Sequence, residues 1–232
     1  MPREAFREQL GGLTEEVLKL GGRVEESLVT MVEAMEKDDA EIAGRVLGVD
    51  AEYKTRGVEL DQECMILQAR QAPVASDLRL IYTVQAVTNH LVRAGTLTEH
   101  VCQAIAETAG LDRDEELAAA LLEMARTARN LFHRGLEIFT ARDAEGARDL
   151  QAADDKVDLL YSEAINLIAN PSGGRGGDPE WRMRASLMVH YLERIADHGV
   201  DIGGRTVFLV TGERIESAMR QYLDREMDSN ED

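Results

Sequence analysis

Apolar residues recur every three or four positions along most of this chain. Leu10, Leu13, Val17, Leu20, Val24, Leu28 and Met31 make one face of a long helix, with charged and small residues on the other faces. Lys37-Asp38-Asp39 interrupts that stripe, and Asp38 or Asp39 is placed to cap the next helix. A second stripe, Ile42, Val46, Val49, Tyr53, Leu60 and Leu67, predicts one continuous second helix that stops near Ala72-Pro73. Ser76 is the expected N-cap of a third helix running to about Ala109-Gly110. The second half predicts a fourth helix from about Arg113 to Thr140 and a fifth from Asp143 to Ala169. A sixth starts at Pro179, in the first-turn position proline favours, and ends near Thr211-Gly212. The glycine-rich stretch from Asn170 to Asp178 reads as a connector, with an anion cradle around Arg175 as the weaker alternative. Beyond Gly212 the pattern allows a helical turn or two before a charged tail.

The two halves repeat one another. Asp39-Ala40-Glu41 reappears as Asp143-Ala144-Glu145, Asp50 as Asp154, and Leu13 as Leu117. Further on, Leu91 and Arg93 match Leu192 and Arg194, and Asp77 matches Asp178, with a slightly shorter offset. The change of offset falls between the second and third helices of each triplet. A long-period repeat of helical triplets predicts an all-α fold of two tandem three-helix bundles built from six long helices. The expected divisions are 1–110, 111–212 and an acidic tail, 213–232. A helix of about 30 residues is about 45 Å long.

Charge narrows the function classes. The formal net charge is −18, a surface that repels nucleic acids and anionic lipid. Of 26 basic residues only Lys19, Lys37, Lys54 and Lys156 are lysines. Excess carboxylate with scarce lysine suits either a high-salt cytoplasm, such as that of a halophilic archaeon, or a GC-rich genome. Aromatics make up 4% of the chain, which fits helices better than sandwiches of strands. Cys64 and Cys102 lie in apolar helical patterns and read as buried free thiols. The N-terminus lacks an apolar signal core, and no stretch of about 18 apolar residues exists to span a membrane. A cytoplasmic location is the expectation.

The candidate chemistry lies in paired carboxylates. In Leu192-Glu193-Arg194-Ile195-Ala196-Asp197-His198, Glu193 and Asp197 are four apart and project from one helical face, which His190 and Asp201 extend. Asp154 and Asp158 repeat the spacing on the fifth helix. Antiparallel packing of the two helices would bring four carboxylates together, and their repulsion would be relieved by a cation. Oxygen donors suit Mg²⁺, Mn²⁺, Ca²⁺ or iron. The bland reading is a solvated acidic face, since a chain with 44 acidic residues contains such pairs by chance. His190 and His198 are read as surface residues rather than ligands.

At this point the sequence resembles the PhoU family of phosphate-uptake regulators over roughly residues 3–212. The resemblance rests on Gln71-Ala72-Pro73-Val74-Ala75-Ser76-Asp77-Leu78-Arg79 at the entry to the third helix and on Leu192-Glu193-Arg194-Ile195-Ala196-Asp197-His198 in the sixth. It implies multinuclear metal binding on the bundle surface by paired acidic motifs, one pair on the second and one on the third helix of each repeat. In repeat two the implied ligands are intact as Asp154, Asp158, Glu193 and Asp197, with Asp201 able to add an oxygen. Repeat one departs from the pattern: Asp50 remains, but its partners have become Lys54, Val92 and Thr96. One metal site is therefore expected, for a divalent or trivalent ion (Mg, Mn, Fe, Zn or Ca), with Lys54 neutralising Asp50 or Glu99. The resemblance further implies a cytoplasmic negative regulator, often a homodimer, that works through the ATPase subunit of a phosphate ABC transporter and a sensor kinase. In an archaeal source the transporter alone would be the target.

Enzymatic rivals fit less well. A metal-dependent helical phosphohydrolase would use a His-Asp order that Asp197-His198 reverses. His190 and Glu193 likewise reverse the Glu-x-x-His of di-iron bundles, and no phosphate-binding Gly-x-x-x-x-Gly-Lys loop is present. No enzymatic activity is expected. The other alternative is a helical scaffold without metal.

Overall fold

Two aspartates at equivalent places set the corners of the fold. In the computed structural model, which describes residues 3–71, 73, 75–170 and 177–213, Asp39 accepts hydrogen bonds from the N–H groups of Glu41 and Ile42 at 2.8 and 3.1 Å. Asp143 does the same for Glu145 and Gly146 at 3.1 and 3.0 Å. Each satisfies N–H groups that a helix start leaves unpaired. The residue before each, Asp38 and Arg142, turns the corner with φ of 51° and 55°. The repeated Asp-Ala-Glu is thus a repeated helix start.

The helices are α1 (Arg3–Lys37), α2 (Ala40–Gly44), α3 (Asp50–Gln71), α4 (Ala75–Glu107), α5 (Glu115–Ala141), α6 (Ala144–Ala152), α7 (Asp155–Ala169) and α8 (Pro179–Thr211). All regular structure among the described residues is helical. Asp114 caps α5, and Asp178 caps α8 ahead of Pro179. Gly212, at φ 77°, closes α8. Three expectations need correction. The second helix is not continuous: α2 gives way at 45–49 to tight turns, with Gly48 at φ 90°, before α3 begins. The fifth is likewise split into α6 and α7 at 153–154. Ser76 is not a cap, because α4 already starts at Ala75. The expected turn after Gly212 and its charged tail (214–232), residues 171–176 of the connector with Arg175, and Ala72 and Val74 of the third-helix motif lie outside the described residues.

Buried side chains from both halves join in one continuous core, including Leu28, Met31, Leu60, Ile81, Leu91, Leu117, Phe132, Leu192 and Ile195. The most extensive packing is that of α8 against α5 and α4. Close approach to α5 depends on glycine. A Cβ at Gly199 would lie 2.6 Å from the backbone of Phe132, and one at Gly135 would lie 2.2 Å from the Gly199 carbonyl oxygen. Contact with α4 runs antiparallel: Tyr82 meets Phe208, His90 meets His198, and His100 meets Tyr191, with ring centroids 5.3–5.6 Å apart. Cys64 and Cys102 are buried free thiols, as their sequence setting predicts. Burial in apolar surroundings pushes both up to about 12, the unreactive form. Among the described residues no helix is long and apolar enough to cross a membrane.

Candidate functional site

The break between α6 and α7 places Asp154 at the first turn of α7, where it makes no capping hydrogen bond with its own side chain. Asp158 follows one turn later, on the exposed side. Glu193 and Asp197 lie half-buried on α8, on the flank facing α7, while Leu192, Ile195 and Ala196 point into the core. Among the described residues, no hydrogen bond or ion pair satisfies these four carboxylates.

Their electrostatics show that they share one field. Asp197 is pushed up to about 7, first by burial and then by Glu193, Asp154, Asp201 and Asp158. Asp154 is pushed up to about 6, again by burial first, then by Asp158 and Glu193. Carboxylates crowded in this way hold protons at higher pH because like charges oppose ionisation. Asp201 is also raised, by burial, against the pull of His198 and Arg205. Asp201 also adds to the negative field at Asp154 and Asp197.

Asp201 does not lie simply beside the other four. It turns toward α4, where its Oδ2 is 3.4 Å from His90 Nδ1. His198, expected at the surface, is buried at 7% exposure, with Nδ1 3.3 Å from His90 Nδ1. The helical stripe placed His198 near the polar face, but α4 covers that flank. His190 is exposed, as expected. Among the described residues, the group of His, Cys, Asp or Glu side chains whose ligand atoms lie within 4.8 Å of one another is His90, His198 and Asp201. The carboxylate quartet is spread more widely. Its all-oxygen donor set and unrelieved repulsion fit an acidic face for one or more hard cations, not a closed cage.

Repeat one inverts this picture. Asp50, at the start of α3, takes an ion pair from Lys54 and a hydrogen bond from the Thr96 hydroxyl, and its backbone N–H donates to Glu99 at 2.9 Å. Burial pushes the Asp50 carboxyl up, but Lys54 and Thr96 outweigh it and hold it below the ordinary range. An ammonium occupies the role that a metal would have to play, and Val92 is packed against the core. This substitution is legible in the sequence; His90 is not, since nothing in a single helix's pattern shows that α4 faces α8.

A family model for the PhoU domain matches residues 17–105 and 121–206. The phosphate-specific transport system accessory protein PhoU homolog of Clostridium acetobutylicum is 26% identical over 217 residues, covering 93% of this chain and 99% of that one. PhoU homolog 2 of Mycobacterium tuberculosis is 28% identical over 218 residues, covering 90% and 98%. The crystal structure of PhoU from Pseudomonas aeruginosa superposes with a TM-score of 0.83 at 24% identity, covering 90% of this chain and all of that one.

Proposed function

The chain belongs to the PhoU domain family, and from that premise we propose that it is an accessory regulator of phosphate transport that restrains uptake when phosphate is plentiful. The observation that carries this reading is the match of both halves, in order, to relatives named as phosphate-transport accessory proteins along nearly their whole length. Its surface supports the same role. An acidic helical body with buried, inert thiols has the character of a binding protein, and its charge turns it away from nucleic acid and anionic lipid. The partner is the ATPase subunit of a phosphate importer, at the cytoplasmic side of the membrane, with a sensor kinase as a second partner where one exists. The working form is a homodimer.

The acidic face formed by Asp154, Asp158, Glu193 and Asp197 binds a hard or borderline metal ion in this proposal. The cation supplies positive charge that relieves the carboxylates' repulsion, while the residues themselves bind and orient it. Asp201 adds to the negative field from the next turn of α8. Deleting the gene tests the regulatory reading: phosphate accumulation in replete medium should rise and return to normal on complementation. Unchanged accumulation, with no transporter subunit recovered alongside the purified protein, would overturn it.

A further inference from the structure

We propose that His90, His198 and Asp201 form a separate site for a borderline divalent cation such as Zn²⁺, which clasps the two repeats across the seam between α4 and α8. His90 comes from the first repeat; His198 and Asp201 come from the second. The separations are 3.3 Å from His90 Nδ1 to His198 Nδ1 and 3.4 Å from His90 Nδ1 to Asp201 Oδ2. These are long for N–H donors, which prefer about 2.9–3.0 Å to an acceptor. They match two edges of a tetrahedron with metal–ligand bonds of about 2.0–2.1 Å, whose edges are about 3.3–3.4 Å, and all three donor atoms lie within 4.8 Å of one another. Two imidazole nitrogens and one carboxylate oxygen are a donor set that Zn²⁺ and its neighbours favour.

His198 is 7% exposed and turns its Nδ1 toward His90, so the second repeat's imidazole donor is held inside the seam. Arg93, Arg194 and Arg205 face this group and oppose a cation. Asp201 opposes them from within the group, and it lies in the same field as Asp154 and Asp197. The repeat provides no second copy: the positions equivalent to His90, His198 and Asp201 are Tyr191, Leu97 and His100.

Titrating Co²⁺ into the metal-free full chain tests this, because tetrahedral Co²⁺ absorbs visible light far more strongly than octahedral Co²⁺ on oxygen ligands. Equimolar Co²⁺ should produce the intense spectrum, and Zn²⁺ should displace it. His90→Gln should remove it with helical circular dichroism unchanged, weakening Zn²⁺ binding by more than the roughly 10–100-fold that loss of a group merely hydrogen-bonded to a ligand costs. Asp154→Asn with Asp158→Asn should leave the spectrum intact. If His90→Gln does not fold, the ¹⁵N shifts of the His90 and His198 rings in the unaltered protein decide, since Zn²⁺ should move Nδ1 of both. A weak octahedral spectrum alone, an intense one that survives His90→Gln, or ring nitrogens unmoved by Zn²⁺ would overturn the proposal. Loss of Mn²⁺ from the carboxylate face is a different failure, which His90→Gln leaves untouched.

Discussion

Asp50 and Asp154 stand at equivalent corners, each at the start of the helix segment that follows a break, yet their surroundings push them in opposite directions. Lys54 and Thr96 satisfy the first; burial, and then Asp158 and Glu193, raise the second. Replacing Glu193→Gln together with Asp197→Asn keeps the shapes and removes two of the crowded charges. Metal binding by that face should be lost, and the metal-free variant should be more stable than the parent. The pH dependence has a definite sign. Asp154 and Asp197 titrate near 6 and 7 in the folded chain against an ordinary 3.8. Between those values the folded state keeps protons that the unfolded chain has released. Their stabilisation is therefore full below about pH 4 and is lost as pH rises toward neutrality. Thermal melting of the metal-free parent and the double variant should diverge over that window, with the parent losing ground as pH rises. Parallel curves would show that the carboxylates do not repel one another as described.

At the scale of helices, the glycines of α8 make two separate expectations. Gly199→Ala drives a methyl group into the backbone of Phe132 and should destabilise by about 1–3 kcal/mol or more in denaturant unfolding. Gly204→Ala meets open space within the same helix and should be neutral or stabilising by up to about 1 kcal/mol. Equal effects would mean that α5 and α8 do not approach as closely as they do here. The helices themselves were legible in the sequence because their stripes are long and their capping aspartates recur. The breaks at 45–49 and 153–154 were not, since Val46, Val49 and Tyr53 keep helical spacing straight through the first break. Gly44 and Gly48 are its only marks, and isolated glycines are tolerated in many helices. The acidic pairs were legible because each lies on one helix at a fixed spacing. The seam at His90 and His198 was not, because it depends on which face of α4 meets α8.

For the whole molecule, a net charge of −18 spread over a helical surface should oppose compaction wherever salt does not screen it. The melting temperature should rise from dilute buffer to molar KCl. A flat or falling trend would remove the high-salt reading and leave the fold untouched. The two repeats share a fold and a core but not a chemistry: one corner is closed by Lys54, and the other is left as an unrelieved acidic face. The most direct measurement of that asymmetry is anomalous diffraction from crystals of the full chain soaked in Mn²⁺. Density should lie on the face of Asp154, Asp158, Glu193 and Asp197, with none at Asp50, Lys54, Val92 and Thr96, and Asp50→Asn should leave it unchanged. Density on the first repeat, or both faces empty at saturating Mn²⁺, would contradict the account.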